Sequence, residues 1–203
     1  YEDILEKSDD AIRIYRSVLE VEGNNQDALQ ALERLYAANN MWGDLVSLYE
    51  SELDSASDAD EIKEIRKKLA EVCNSHLGDY GKAIENYREI LNSDHDKDVT
   101  GAADALLKKL VSSEDEHACE HRAALCELLE PIYTNDSAIP ELVSLLRIKL
   151  QDCDDNYERV DINRRIAALL KDKLEDNQGA FDALKAALQI DVSDETLRND
   201  FEQ

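Results

Sequence analysis

Apolar residues recur along this chain at spacings of three, four and seven. Leu29, Leu32, Leu35 and Tyr36 share one stripe, and Trp42, Leu45, Val46, Tyr49 and Leu53 form the next. Ala83, Ile84, Tyr87, Ile90 and Leu91 make another, as do Leu142, Val143, Leu145, Leu146 and Leu150. This is the period of helices, and no segment alternates at two, so no sheet is predicted. Polar punctuation separates the stripes: Gly23-Asn24-Asn25, Asn39-Asn40, Gly78, Asn92 to Asp98, and Asp152 to Asp155.

The pattern predicts helices in sequence. Ser8 or Asp9 caps one that reaches about Val21, and a second runs from about Gln26 to Ala38. Asp58 and Glu61 form a capping box for a helix to about Leu77, ended by Gly78. A helix over Val99 to Val111 carries Leu106, Leu107 and Leu110. Ser113 with Glu116 caps the next, which carries Leu125, Leu128, Leu129 and Ile132 and is kinked by Pro131. Asp136 or Ser137 starts another with Pro140 in its first turn. Ile162, Ile166, Ala167 and Leu170 follow, then Ala180, Phe181, Leu184, Ala187 and Leu188, and Ser193 caps a last helix through Leu197 and Phe201.

These stripes repeat. Residues 42–92 lie over residues 139–189 without a gap, at a constant offset of 97, with 13 of 51 positions identical. Leu45-Val46-Ser47-Leu48 fall on Leu142-Val143-Ser144-Leu145, and Asp79, Ala83 and Leu91 fall on Asp176, Ala180 and Leu188. Equivalent second-helix positions are Ala11, Leu45, Ala83, Leu142 and Ala180, spaced by 34, 38, 59 and 38 residues. The interval of 59 leaves room for one extra helix. Self-similarity of this kind marks an array in which each unit buries its face only against its neighbours. The predicted units are 1–22, 26–54, 58–92, an extra helix 98–112, 114–151, 155–190 and a partial unit 193–203.

The residues resemble the tetratricopeptide repeat family. Gly78-Asp79-Tyr80 precedes Ala83-Ile84, Tyr87 and Ile90-Leu91 as in its second helix; Leu32 and Tyr36 match its first helix, and Trp42, Leu45 and Tyr49 its second. The Leu-Gly-Asp turn at 77–79 and Leu129-Glu130-Pro131-Ile132-Tyr133 resemble divergent units of long bacterial tandem arrays. The resemblance implies an all-α, right-handed α-solenoid of antiparallel helix pairs with one inserted helix. It also implies a non-catalytic protein–protein interaction scaffold whose first helices line a concave groove. Carried across, the groove positions are Asp27, Gln30 and Arg34; Glu64, Lys67 and Glu71; Ala124, Glu127 and Pro131; and Asp161, Arg164, Ala168 and Lys171. They lack the Lys/Asn/Arg pattern that clamps a C-terminal carboxylate. The chain reads as a segment of a longer array with uncapped ends, so a structural, self-associating segment is the alternative function.

Charge narrows the partner. The 47 acidic residues against 23 basic give a net charge of −24. Such a field repels nucleic acid and anionic membranes and favours a basic protein or peptide, although it also serves solubility. No apolar run approaches the roughly 20 residues of a membrane span. Cys73, Cys119, Cys126 and Cys153 form no C-x-x-C pair, which fits a reduced, cytoplasmic setting, and Cys73 and Cys126 fall at apolar core positions.

One motif points elsewhere. His117-Ala118-Cys119-Glu120-His121 fits H-x-x-E-H, a zinc-hydrolase pattern in which histidines four apart share a helix face. On a continuous helix Cys119 and Cys126 sit about 200° and about 180° from His117, so the four cannot form one tetrahedral site. No Gly-rich phosphate loop, nucleophile elbow, dinucleotide fingerprint or calcium loop is present, so no catalytic, cofactor or metal residue is assigned. Trp42 and the tyrosines sit at packing positions.

Overall fold

The computed structural model describes residues 2–113 and 117–191, with side chains from Lys7 onward. The expected helix from Ser193 through Leu197 and Phe201 lies outside the described residues, as does Glu116 of the Ser113 box. Among the described residues the fold is all-α, of the solenoid class. Its helices are α1 (Glu2–Val21), α2 (Gln26–Ala38), α3 (Trp42–Ser55), α4 (Ala59–Val72), α5 (Tyr80–Ser93), α6 (Lys97–Val111), α7 (Ala118–Asn135), α8 (Ile139–Asp152), α9 (Asn156–Leu174) and α10 (Asn177–Ile190). The last turn of α4 continues as a wider π-type turn over Cys73–Leu77.

The chain forms two compact units, Tyr1–Thr100 and Gly101–Gln203. In the first, α1 packs on α2, α2 on α3, α3 on α4 and α4 on α5; in the second, α7 packs on α8, α8 on α9 and α9 on α10. Short loops make neighbouring helices antiparallel.

The 97-residue offset extends through the backbone. α3, α4 with its π turn, and α5 start and stop 97 residues before α8, α9 and α10. Asp58 and Asp155 both accept a backbone N–H as N-caps, as do Asp79 and Asp176. The left-handed residues match as well: Asn40 (φ 56°) with Ser137 (φ 54°), and Gly78 (φ 66°) with Glu175 (φ 55°). At each of the latter two, the following aspartate N–H bonds back six residues, Asp79 to the Cys73 carbonyl and Asp176 to that of Leu170. This closes the helix as a glycine-type cap does.

The core follows the stripes. Leu45, Val46, Leu48 and Tyr49 of α3 are buried, as are their equivalents Leu142, Val143, Leu145 and Leu146 of α8. Cys73 and Cys126 occupy the core positions expected of them. Burial pushes their thiols up, to about 11 and about 12. All four cysteines are free thiols.

Four local expectations are corrected. α1 passes straight through Ser8 and Asp9 from Glu2, because nothing between Glu2 and Val21 is Gly or Pro. Asp136 closes α7 rather than opening α8; Ser137 turns left-handed, and Ala138 takes the N-cap position ahead of Pro140. α7 begins at Ala118, with His117 at its N-cap, and contains Pro131. Phe181 is exposed, and the small Ala180, Ala183 and Ala187 carry the buried face of α10.

The inserted helix has a counterpart. Tyr36 of α2 takes its hydroxyl partner from α1, where Arg16 Nε donates at 2.6 Å. Its equivalent Tyr133 of α7 takes its partner from α6, donating to Asp104 at 2.9 Å. Each four-helix block therefore has a leading helix on the same tyrosine, reached with opposite charge.

The cap comparison predicts a reciprocal effect. Gly78→Ala should cost about 1 kcal/mol and Glu175→Gly should stabilise by up to about 1 kcal/mol, because only glycine lacks the left-handed penalty. Urea unfolding of both variants checks the signs. Leu129→Ala, with Leu129 fully buried, should cost about 2–5 kcal/mol in the same assay.

Candidate interaction surface

The residues expected to line a groove lie on α2, α4, α7 and α9 and are exposed or half-buried. On α2, Asp27, Gln30 and Arg34 are exposed and share a face at helical spacing. Arg34 turns back on its own helix, donating from Nε to the Gln30 carbonyl at 3.3 Å. On α4, Glu64 and Glu71 are exposed and Lys67 is half-buried. Their equivalents at the 97 offset are Asp161, Ala168 and Arg164 of α9, the first two exposed and the third half-buried. On α7, Ala124 is half-buried and Glu127 and Pro131 are exposed; Lys171 is exposed near the end of α9.

Arg164, Ala168 and Lys171 are brought together. With Ala167, Ala180 and Leu184 they line a cavity of about 210 Å³ between α9 and α10. Lys67 has structural work instead. Its ammonium lies 2.9 Å from Asp96 and 3.3 Å from Glu64. Asp96 is the hub of that cluster, since Lys63 approaches it at 2.8 Å and Asp94 at 2.6 Å. The Asp96 carboxylate also accepts the Asp98 and Val99 N–H groups, capping α6. The bonds from Lys63 and then Lys67 hold its carboxyl well below the usual aspartate range.

Sequence reasoning missed a lattice of interhelix polar contacts. Glu33 of α2 accepts from the Tyr49 hydroxyl of α3 at 2.8 Å and from Lys68 of α4 at 3.1 Å. The same pair recurs in the second unit, where Arg165 of α9 reaches Glu130 of α7 at 2.7 Å. Arg122 of α7 forms a fork on Asp152 of α8 at 2.6 and 2.5 Å and also donates to the Leu110 carbonyl of α6. Trp42 stacks on His76 with ring centroids 3.6 Å apart. The signal available was the repeat itself: at the offset of 97, Glu33 falls on Glu130 and Lys68 on Arg165.

The H-x-x-E-H residues lie at the start of α7. The His117 and His121 rings are 6.4 Å apart, and His117 is 3.7 Å from Glu120. Cys119 is exposed, while Cys126 is buried. Among the described residues no three His, Cys, Asp or Glu side chains gather in a way that could hold a metal ion. Nor is any described helix long and apolar enough to cross a membrane.

Helix hairpins repeated at a fixed offset, with exposed polar first-helix faces, define a helical-repeat protein. Residues 28–63, covering α2, α3 and the start of α4, match the family model described as tetratricopeptide repeat. That match spans 36 of the 203 residues. A comparison with curated proteins finds no match. Among solved structures it is similar to BtubC (BKLC) from P. vanneervenii, at 16% identity over 95% of this chain and 91% of that one, with a TM-score of 0.36. It is also similar to YrrB, a TPR protein with an unusual peptide-binding site, at 14% identity over 99% and 87%, with a TM-score of 0.34. A third is the TPR2AB domain of yeast Sti1 in its pHSP90 complex, at 15% identity over 96% and 88%, with a TM-score of 0.36.

The Asp96 cluster predicts acid sensitivity. A carboxyl lowered in the folded state contributes stability above its unfolded value, near about 3.9, and loses it as pH falls toward the folded value. Asp96→Asn keeps an N-cap side chain but removes the charge. Its unfolding free energy should be lower than wild type at neutral pH and should fall less steeply below about pH 4. Urea titrations at several pH values read both slopes.

Proposed function

We propose that the chain is a non-catalytic scaffold that binds a basic protein or peptide along its first helices. The observation that carries this reading is the chemistry of those helices. Their stripes are committed to packing, and their outward positions are mixed in charge: acidic at Asp27, Glu64, Glu71, Glu127 and Asp161, basic at Arg34, Lys67, Arg164 and Lys171, with Gln30 among them. A net charge of −24 gives long-range attraction for a cationic partner. The tetratricopeptide-repeat class supports binding by shape and charge complementarity on a row of hairpins.

A second reading is a structural segment that associates with copies of itself. The exposed Ile14 and Val21 of α1, which with Arg13, Ser17, Val18 and Glu22 line an open apolar face, favour it. Light scattering across concentration separates the two, since a strict monomer removes the second.

Selection from a displayed random peptide library should enrich sequences rich in Lys and Arg, with affinity falling as salt rises. Combined Glu127→Lys and Asp161→Lys should weaken the selected peptides about tenfold, on the order of 1.4 kcal/mol. Peptides without a basic bias, or affinities indifferent to these reversals, would overturn the reading.

A further inference from the structure

Two cavities of the same construction lie 97 residues apart. In the first unit, Gln26, Leu29, Glu52, Ser55, Ala56 and Glu61 line a cavity of about 130 Å³. It sits where the end of α3 meets the first turns of α2 and α4. In the second unit Ala123, Cys126, Lys149, Asp152, Cys153 and Glu158, their equivalents one for one, line a cavity of about 260 Å³.

One lining position reverses its charge: Glu52 in the first unit is Lys149 in the second. The Lys149 ammonium lies 3.5 Å from Glu158 and 3.8 Å from Glu130. Glu130 also holds Arg165. Two carboxylates there meet two cations. The first-unit equivalents are Glu61, Glu33 and Lys68, with Glu52 where the ammonium would be. Three carboxylates therefore share one cation, and that cation is engaged with Glu33 at 3.1 Å and sits over the Tyr49 ring. Neither Glu52 nor Glu61 makes an ion pair among the described residues. Burial pushes the Glu52 carboxyl upward; Lys68 pulls it back, and Glu33 and Glu61 push it further up. The site lacks a cation that its own duplicate supplies from within.

We propose that the first-unit cavity binds the ammonium of a lysine side chain from a partner protein, which brings beside Glu52 the cation that Lys149 supplies in the second unit. Glu52 and Glu61 take the ammonium, and Leu29 packs against the methylene stem. This assignment rests on the scaffold reading and gives the basic partner a specific anchor.

The test uses the full chain and a capped Gly-Gly-Lys-Gly-Gly peptide, followed by backbone amide chemical shifts. Saturable shifts are expected at Leu29, Ser55, Ala56, Ser57 and Glu61, and none with the peptide whose lysine is acetylated. Glu52→Lys, which installs the duplicate's own cation, should abolish them while leaving the thermal midpoint equal or higher. Glu85→Lys, the same charge change at an exposed site on α5, should alter the affinity less than about twofold, within the range of screened surface charge. Shifts scattered over the acidic surface, shifts that survive Glu52→Lys, or equal losses in both variants would overturn the cavity. A selected basic peptide that still binds Glu52→Lys but fails with the α7 and α9 reversals retires the cavity and keeps the scaffold. If no basic peptide binds the wild type, both readings fall.

Discussion

Among the described residues, the helices of each unit pack mainly on the helices next to them in sequence. That constraint governs the rest. α3 buries Leu45, Val46, Leu48 and Tyr49, which at about 100° per residue cover an arc of roughly 160°. An arc that wide serves two neighbours, α2 on one side and α4 on the other, and leaves a polar stripe through Ser47 facing solvent. A helix built this way cannot be stable alone, since its stripe is satisfied only when both neighbours are in place. Direction then depends on the turns. A left-handed residue at 40 or 78, with an aspartate cap behind the latter, sends the chain back along itself so that the next stripe meets the last.

That dependence explains what was legible. The bounds of α2 were plain because Asn25 supplies its N-cap oxygen and Asn39 closes it; both residue types act through local hydrogen bonds that any reader of the sequence can place. The path of α1 was not, because Ser8 and Asp9 have the same side chains mid-helix as at a cap, and only the surrounding backbone decides between the two. The outward direction of Asp27, Glu64, Glu127 and Asp161 followed from helical spacing. The engagement of Lys67 did not, because its partner Asp96 sits in the loop before α6 and reaches it only through the fold. Long-range ion pairs are invisible among 47 acidic and 23 basic residues, since nearly any pairing can be drawn on paper.

The exception is a pair that occurs twice. Glu33 with Lys68, and Glu130 with Arg165, keep charge and place while neighbouring residues change. Their cost and benefit are set by position. These side chains lie at the seam between alternate helices, partly out of water, where an uncompensated carboxylate is more expensive than on the open surface. Pairing at such a seam also fixes how far α2 and α4, or α7 and α9, slide past one another, a register that apolar contacts alone specify poorly.

Comparison of the two units then separates what the backbone requires from what a surface is free to change. The left-handed residues and the aspartate caps coincide at every equivalent turn, even where Glu175 must take a conformation that glycine accepts more readily. Exposed charge has drifted, as at Gln30 and Glu127 or Arg34 and Pro131, where either residue is solvated and the stability of the fold depends little on the choice. Glu52 and Lys149 belong to neither group. They face the retained seam pair at short range, so a reversal there moves the local balance by two charges beside carboxylates that stay in place. In a screened, open position that shift would be small. Beside half-buried Glu52 it is larger, because partial burial already raises that carboxyl and Glu33 and Glu61 raise it further. A duplicated fold thus yields one cavity whose Lys149 is paired with carboxylates of its own unit and one in which Glu52 stands in that lysine's place.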